Sequence, residues 1–183
     1  MTISPITRIG SWRDVADAAR TTVGKEPGTG EPSSKWKYKI LLAEHSPIRL
    51  LSFRWTWYDI PYFVSTHFVR HKIGIEHFVK TSRTDRTGID RNKLRQDNPV
   101  NHSCHANAQA IINISRKRLC NKASHETKTA WIYFLDELAK IEPELYNACT
   151  SECVYRGFCP EMEPCGRFSQ CGRNMIKEYR RTE

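Results

Sequence analysis

Between residues 70 and 83 the chain reads Arg70-His71-Lys72-Ile73-Gly74-Ile75-Glu76-His77-Phe78-Val79-Lys80-Thr81-Ser82-Arg83, directly after an apolar run. A solvated helix face would interleave its charges with opposite partners, whereas here the basic groups outnumber the single acid. Such a cluster suits a ligand rich in phosphate, which guanidinium groups grip through paired N–H bonds. The structural alternative for Arg70 to Lys72 is a basic helix terminus that neutralises carbonyl dipoles. A second basic run, Arg116-Lys117-Arg118, reads by default as a solvated face, and Asn107 and Asn113 supply amides upstream of it. His77 and His125 read as surface or structural residues.

The other reactive side chains are thiols. The chain has seven cysteines and no export signal, a combination that favours reduced thiols or metal ligands over a disulfide framework. Cys149, Cys153, Cys159, Cys165 and Cys171 fall late. Cys153, Cys159 and Cys165 recur at one interval and can bind zinc with a fourth ligand from Cys149, Cys171, Cys104 or His105. The spacing matches no CxxC knuckle, so free buried thiols, an iron–sulfur cluster and a disulfide stay open beside it.

These groups need elements to position them. An amphipathic pattern over Trp12 to Ala19 predicts a helix, and the Gly/Pro/Ser-rich stretch from Gly24 to Ser34 predicts a loop. Trp36 to Leu42 continues as a helix, stopped by Pro47. Leu50 to Tyr58 alternates aromatic and polar residues with the period of a half-buried strand, which sends Trp55 and Trp57 into the core. Pro61 to Val69 reads as a buried helix, so the basic cluster starts at a helix end. Thr84 to His102 is polar and predicts a loop with at most one helical turn around Arg91 to Arg95. Ala106 to Lys122 and Glu126 to Ile141 carry apolar residues at helical spacing, the second closed by Pro143. The cysteine-rich tail has too few apolar positions to fold without a staple.

With its order of residues the chain resembles the flavin-dependent thymidylate synthases. The resemblance rests on Ile60-Pro61-Tyr62-Phe63-Val64 as a helix start and on the triplet Arg70-His71-Lys72 followed by Glu76, Ser82 and Arg83. Asn107-Ala108, Asn113, Arg118, Ala123 and Glu126 follow in order, and Arg91 has a matching spacing to Asn107. It spans roughly residues 44 to 145. Lys72 stands where the family has a third motif Arg, Arg49 where Glu is usual, and Lys122 where a flavin-contacting His is usual. The stretch from Glu76 to Arg83 is also longer than the family's.

The resemblance implies methylation of deoxyuridylate with methylenetetrahydrofolate as carbon donor, FAD as cofactor and NADPH as reductant, without a cysteine nucleophile. It implies a nucleotide site of His67, Glu76, Ser82, Arg83, Arg91 and Arg118, with Arg118 as the catalytic residue polarising a uracil carbonyl. It implies a flavin site of His45, Arg70, His71, Lys72, Asn107, Asn113 and Lys122, and a homotetramer with flavin sites between subunits. The expected fold is a single α+β domain over 1–145, a small mixed or antiparallel sheet packed with long helices, carrying the cysteine-rich tail 146–183.

Length and charge agree with one domain and an anionic partner: the chain has 183 residues and a net charge of +9. No apolar run approaches the roughly 20 residues of a membrane span, and Met1 to Gly10 lacks a signal-peptide core, so a soluble, cytoplasmic protein is expected. Two alternatives stand beside the synthase reading. One is a related pyrimidine nucleotide modification such as hydroxymethylation; the other is a zinc-stabilised nucleic-acid-binding protein built on the charge, the aromatics and the cysteines.

Overall fold

A computed structural model describes residues 1–181 of the chain. Its centre is a small antiparallel sheet. Strand β3 (Ser52–Pro61) pairs on one side with the short N-terminal strands β1 (Thr2–Ile3) and β2 (Thr7–Ile9), and on the other with β5 (Pro99–Asn107). Strand β4 (Ile75–Val79) pairs with β5 and forms the opposite edge.

The alternation along β3 sends Phe53, Trp55, Trp57 and Ile60 inward and leaves Arg54 and Tyr58 exposed. Between Trp57 and Ile60 the register shifts at a bulge, where Asp59 takes a positive φ of 54°, and Ile60 thereby stays on the buried face. Opposite β3, strand β5 buries Val100, His102, Cys104 and Ala106.

Helices cover the inward face. The helices are α1 (Trp12–Thr21), α2 (Ser34–Leu42), α3 (Tyr62–Phe68), the single turn α4 (Thr84–Thr87), α5 (Ala108–Arg118) and α6 (His125–Ala139). They are followed by α7 (Pro143–Ala148), α8 (Glu152–Arg156) and α9 (Arg167–Tyr179). Trp131 and Phe134 of α6 pack against Trp55, Trp57 and Phe68, with Trp57 and Phe68 stacked at 4.6 Å between ring centroids. The Trp131 indole N–H donates to Ser115 Oγ at 3.0 Å, so the one polar atom of that ring is satisfied inside the core. At the N-terminus, the buried Glu142 carboxylate accepts from the Trp12 indole and from Arg8, clasping β2 and α1 to the body.

The α+β class and the helices over 12–19, 36–42, 61–69 and 126–141 agree with the sequence reading within a few residues. Four expectations are corrected. The stretch up to His102 is not all loop, and the helix does not begin at Ala106: β5 runs from Pro99 to Asn107. The basic segment after α3 contains a strand, β4. Pro143 does not close a helix; α6 ends at Ala139 and Pro143 opens α7, where a missing N–H costs nothing. The N-terminal residues before α1, given no element by the sequence reading, supply β1 and β2. The tail forms α8 and α9, and all seven cysteines are free thiols.

Candidate functional site

The end of α3, the last turn of α5 and the first turns of α6 converge on one cluster. Arg118 donates from Nε to His71 Nε2 at 3.0 Å and from a terminal nitrogen to the His67 carbonyl at 2.5 Å. Its guanidinium also lies 5.9 Å from the Phe68 ring centre. His67 Nδ1 is hydrogen-bonded to Thr127 Oγ1 at 2.7 Å, which ties α3 to α6. Residues separated in sequence by 47 and 51 positions therefore meet.

The electrostatics fix the protonation of this cluster. Burial, then the charges of Arg118, His77, Arg70 and Lys117, push His71 down to about 4. It is neutral near pH 7, its Nε2 accepts from Arg118, and the proton sits on Nδ1, where it can be donated. His67 is lowered first by burial and then by Arg118 and Arg70, against the opposing pull of Glu126. Arg118 keeps three N–H groups beyond its two bonds here, a donor set suited to a carbonyl or phosphate oxygen.

Beneath His71 runs a buried chain that the sequence reading left as background. His77 Nε2 donates to the His71 carbonyl at 2.8 Å, which leaves His77 Nδ1 to accept from His102 Nε2 at 2.9 Å. His102 is pushed down to about 4 by burial and then by His77, and among the described residues its Nδ1 has no partner. With Cys104 these two histidines are the one group among the described residues whose ligand atoms lie within 4.8 Å of one another. Their nitrogens already face each other in hydrogen bonds, and burial pushes the Cys104 thiol up, away from the thiolate a metal needs. The chain holds the His71 backbone in place. Its only sequence signal is the alternation of His102, Cys104 and Ala106, hidden by the missed strand.

The other expected site residues divide. Arg70 and Lys72 are exposed beside the cluster, and among the described residues neither has a carboxylate partner. Asn107 is not on the helix with Asn113: it is the N-cap of α5, and its Oδ1 accepts from the Ala110 N–H at 2.9 Å. Gly74, at φ 73°, lies so close to it that an added Cβ would stand 2.7 Å from the Asn107 amide nitrogen. Asn113 is exposed and accepts from Arg116 at 3.1 Å, while Arg116 pairs with Glu44 and His45 is exposed next to that pair.

Glu76 lies on β4 opposite His105, on the sheet face away from the core, whereas its neighbour His77 points inward. Ser82 follows the strand in a loop. Arg83 and Arg91 line one shallow recess with Thr84, Asp85 and Asn92, which Arg118 does not border. The Arg83 guanidinium is held by Asp85 in two bonds of 3.0 and 2.7 Å. Lys122 is drawn to the other side, its Nζ 3.9 Å from Glu163 of the tail. A groove of about 700 Å³ between α2, α6, α7 and α9, lined by Tyr38, Leu135 and Tyr179, borders none of the motif residues.

The fold, a small antiparallel sheet under helices, is shared with solved structures of nucleotide-modifying enzymes. The flavin-dependent thymidylate synthase ThyX from Helicobacter pylori, complexed with FAD and dUMP, aligns with a TM-score of 0.69 at 15% identity over 82% of this chain and 100% of that one. The UMP/dUMP methylase PolB from Streptomyces cacaoi, bound with 5-Br dUMP, aligns with a TM-score of 0.63 at 14% identity over 86% of this chain and 95% of that one. At these identities the likeness establishes the fold. No family model matches the chain, and no curated protein matches it in sequence.

Proposed function

We propose that the protein is a flavin-dependent methylase of a pyrimidine nucleotide, converting deoxyuridylate to thymidylate with methylenetetrahydrofolate and NADPH. The observation that carries this reading is the meeting of His67, His71 and Arg118. These three residues come from two distant segments, and their contacts make one cationic, half-buried donor site.

Each residue has a physical task in this reaction. Arg118 aims its unused N–H groups at a uracil carbonyl, where negative charge develops as C5 becomes nucleophilic. Neutral His71 accepts from Arg118 and so orients the guanidinium without competing for the anion. Arg70 and Lys72, exposed and free of carboxylate partners among the described residues, fit the diphosphate of FAD. The close approach of the Gly74 backbone to Asn107 leaves no side chain at that bend. FAD, when bound, supplies the hydride chemistry, and the protein orients the rings. Arg83 and Arg91 would hold the nucleotide phosphate. Their recess is separate from Arg118 within one chain, in keeping with a homotetramer whose sites are completed by neighbouring copies.

The test is release of deuterium from C5-labelled deoxyuridylate, and separately from C5-labelled UMP, in the presence of FAD, methylenetetrahydrofolate and NADPH. The expected result is a yellow protein that bleaches on reduction, releases deuterium from the labelled deoxyuridylate and yields the methylated nucleotide by mass. A hydroxymethyl product would redirect the reading to a related modification on the same fold. A colourless protein that takes up no FAD, releases no deuterium and binds polynucleotide with a steep salt slope would overturn it.

A further inference from the structure

The cysteine tail closes on a residue that its own spacing does not reveal. Cys153 of α8, Cys159 of the following loop and Cys165 just before α9 line one narrow recess together with Cys120, which lies in the turn after α5. Cys120 is within electrostatic reach of both Cys153 and Cys165. The fourth ligands expected from sequence are engaged elsewhere. Cys149 is half-buried on the wall of the groove between α2, α6, α7 and α9, Cys171 donates to the Arg167 carbonyl at 3.1 Å, Cys104 belongs to the histidine chain, and His105 lies on the outer face of β5.

We propose that Cys120, Cys153, Cys159 and Cys165 form a four-thiolate metal site, and that the spread of their sulfurs suits an iron–sulfur cluster. This proposal is independent of the nucleotide reading. Three observations carry it. First, four thiols from three separate parts of the chain face one recess without pairing as disulfides. Second, the loop from 157 to 166 buries no side chain, with Phe158 and Met162 both exposed, so hydrophobic packing does not hold it. Its two cysteines line the recess with Pro160 and Glu161, and a metal is the staple that would fix the loop. Third, donors already surround the sulfurs: the Lys122 N–H reaches Cys120 Sγ at 3.5 Å, and Ser151 Oγ lies 3.4 Å from Cys153 Sγ. Such bonds orient and stabilise thiolate ligands.

The choice of metal follows from geometry. Four sulfurs bound to one zinc at about 2.3 Å stand about 3.8 Å apart. Among the described residues no three of these four sulfurs lie within 4.8 Å of one another. A cluster binds its thiolates on several irons and so holds them further apart. Because Cys120 follows α5 directly, the centre would also pin the helix turn that carries Arg118.

The experiment is metal and acid-labile sulfide analysis of the full-length protein purified anaerobically without chelator, with Cys120→Ser, Cys159→Ser and Cys171→Ser alongside. The expected result is iron and sulfide in equal amounts in the wild type and in Cys171→Ser, and loss of both in the other two variants. One zinc per chain, lost in the same two variants, supports the four-thiolate site and overturns the cluster. Wild-type protein that holds neither metal, and that takes up neither zinc nor iron with sulfide under argon, overturns the site. The wild-type measurement stands even where a variant fails to fold.

Discussion

Replacing Arg118 by Lys keeps the charge and removes the planar fork. The guanidinium spans two acceptors, His71 Nε2 and the His67 carbonyl, at 3.0 and 2.5 Å. An ammonium on a flexible stem can satisfy one of them and still face the substrate, or both and face nothing. Losing one hydrogen bond from a charged donor costs about 1.5–3 kcal/mol, and the half-buried position favours the lower end because water replaces part of it. Arg118→Lys should therefore lose about tenfold in kcat/KM for C5 deuterium release, chiefly in kcat, and Arg118→Ala should lose turnover altogether. A second readout separates electrostatics from a folding defect. His71 sits at about 4 first because it is buried and then because Arg118 is beside it. In Arg118→Ala its NMR titration should move upward yet stay below 6.5, while in Arg118→Lys it should barely move. A Lys variant with kcat/KM within about twofold of wild type would refute the fork argument, and an unmoved His71 titration in the Ala variant would refute the electrostatic one.

Two further outcomes follow from the surroundings of the cluster. Gly74→Ala should lower stability by about 1–3 kcal/mol in urea unfolding, because an L side chain at φ 73° is strained and its Cβ displaces the Asn107 cap; an unchanged midpoint would show that the bend is slack. His71 and His102 both titrate at about 4 in the folded protein against 6.5 when free. The unfolded chain thus binds protons first, and stability should fall as pH drops from 6.5 towards 4. For fully buried His102 the gap corresponds to at most about 3 kcal/mol. Urea midpoints measured across that range should flatten in His102→Gln, and a slope equal to wild type would contradict the assignment.

The parts of the fold read best from sequence are those whose side chains alternate or repeat with one period. Phe53, Trp55 and Trp57 announce β3, and Trp131, Phe134, Leu135 and Leu138 announce α6. Strand β5 escaped because its inward positions include His102 and the small Cys104 and Ala106, so polar chemistry hid the alternation. Strand β4 is masked in the sequence by the cations around it, and its inward residues Ile75, His77 and Val79 are only partly apolar. The site followed the same logic. The family resemblance names His67, His71 and Arg118 but not the support beneath them, since a hydrogen-bonded histidine chain leaves no local pattern. Asn107 was placed on a helix that it in fact caps, because a cap and a first-turn residue differ by one position. Cys120 stayed outside the tail's cysteines because proximity to them is created by the packing of α8 on α5.

The segment between α3 and β4 is fastened at both ends to a single helix. Gly74 O accepts the Asn107 N–H at 2.9 Å where α5 begins, and Arg118 holds His67 and His71 where α5 ends. The segment is strung along α5 as a cord is strung on a bow, and the length of the helix sets the span between its two fastenings. One residue inserted within α5 would turn Arg118 by about 100° and swing the guanidinium off both acceptors. A change of chain length anywhere within α5 should therefore unseat the guanidinium, however far from Arg118 it falls.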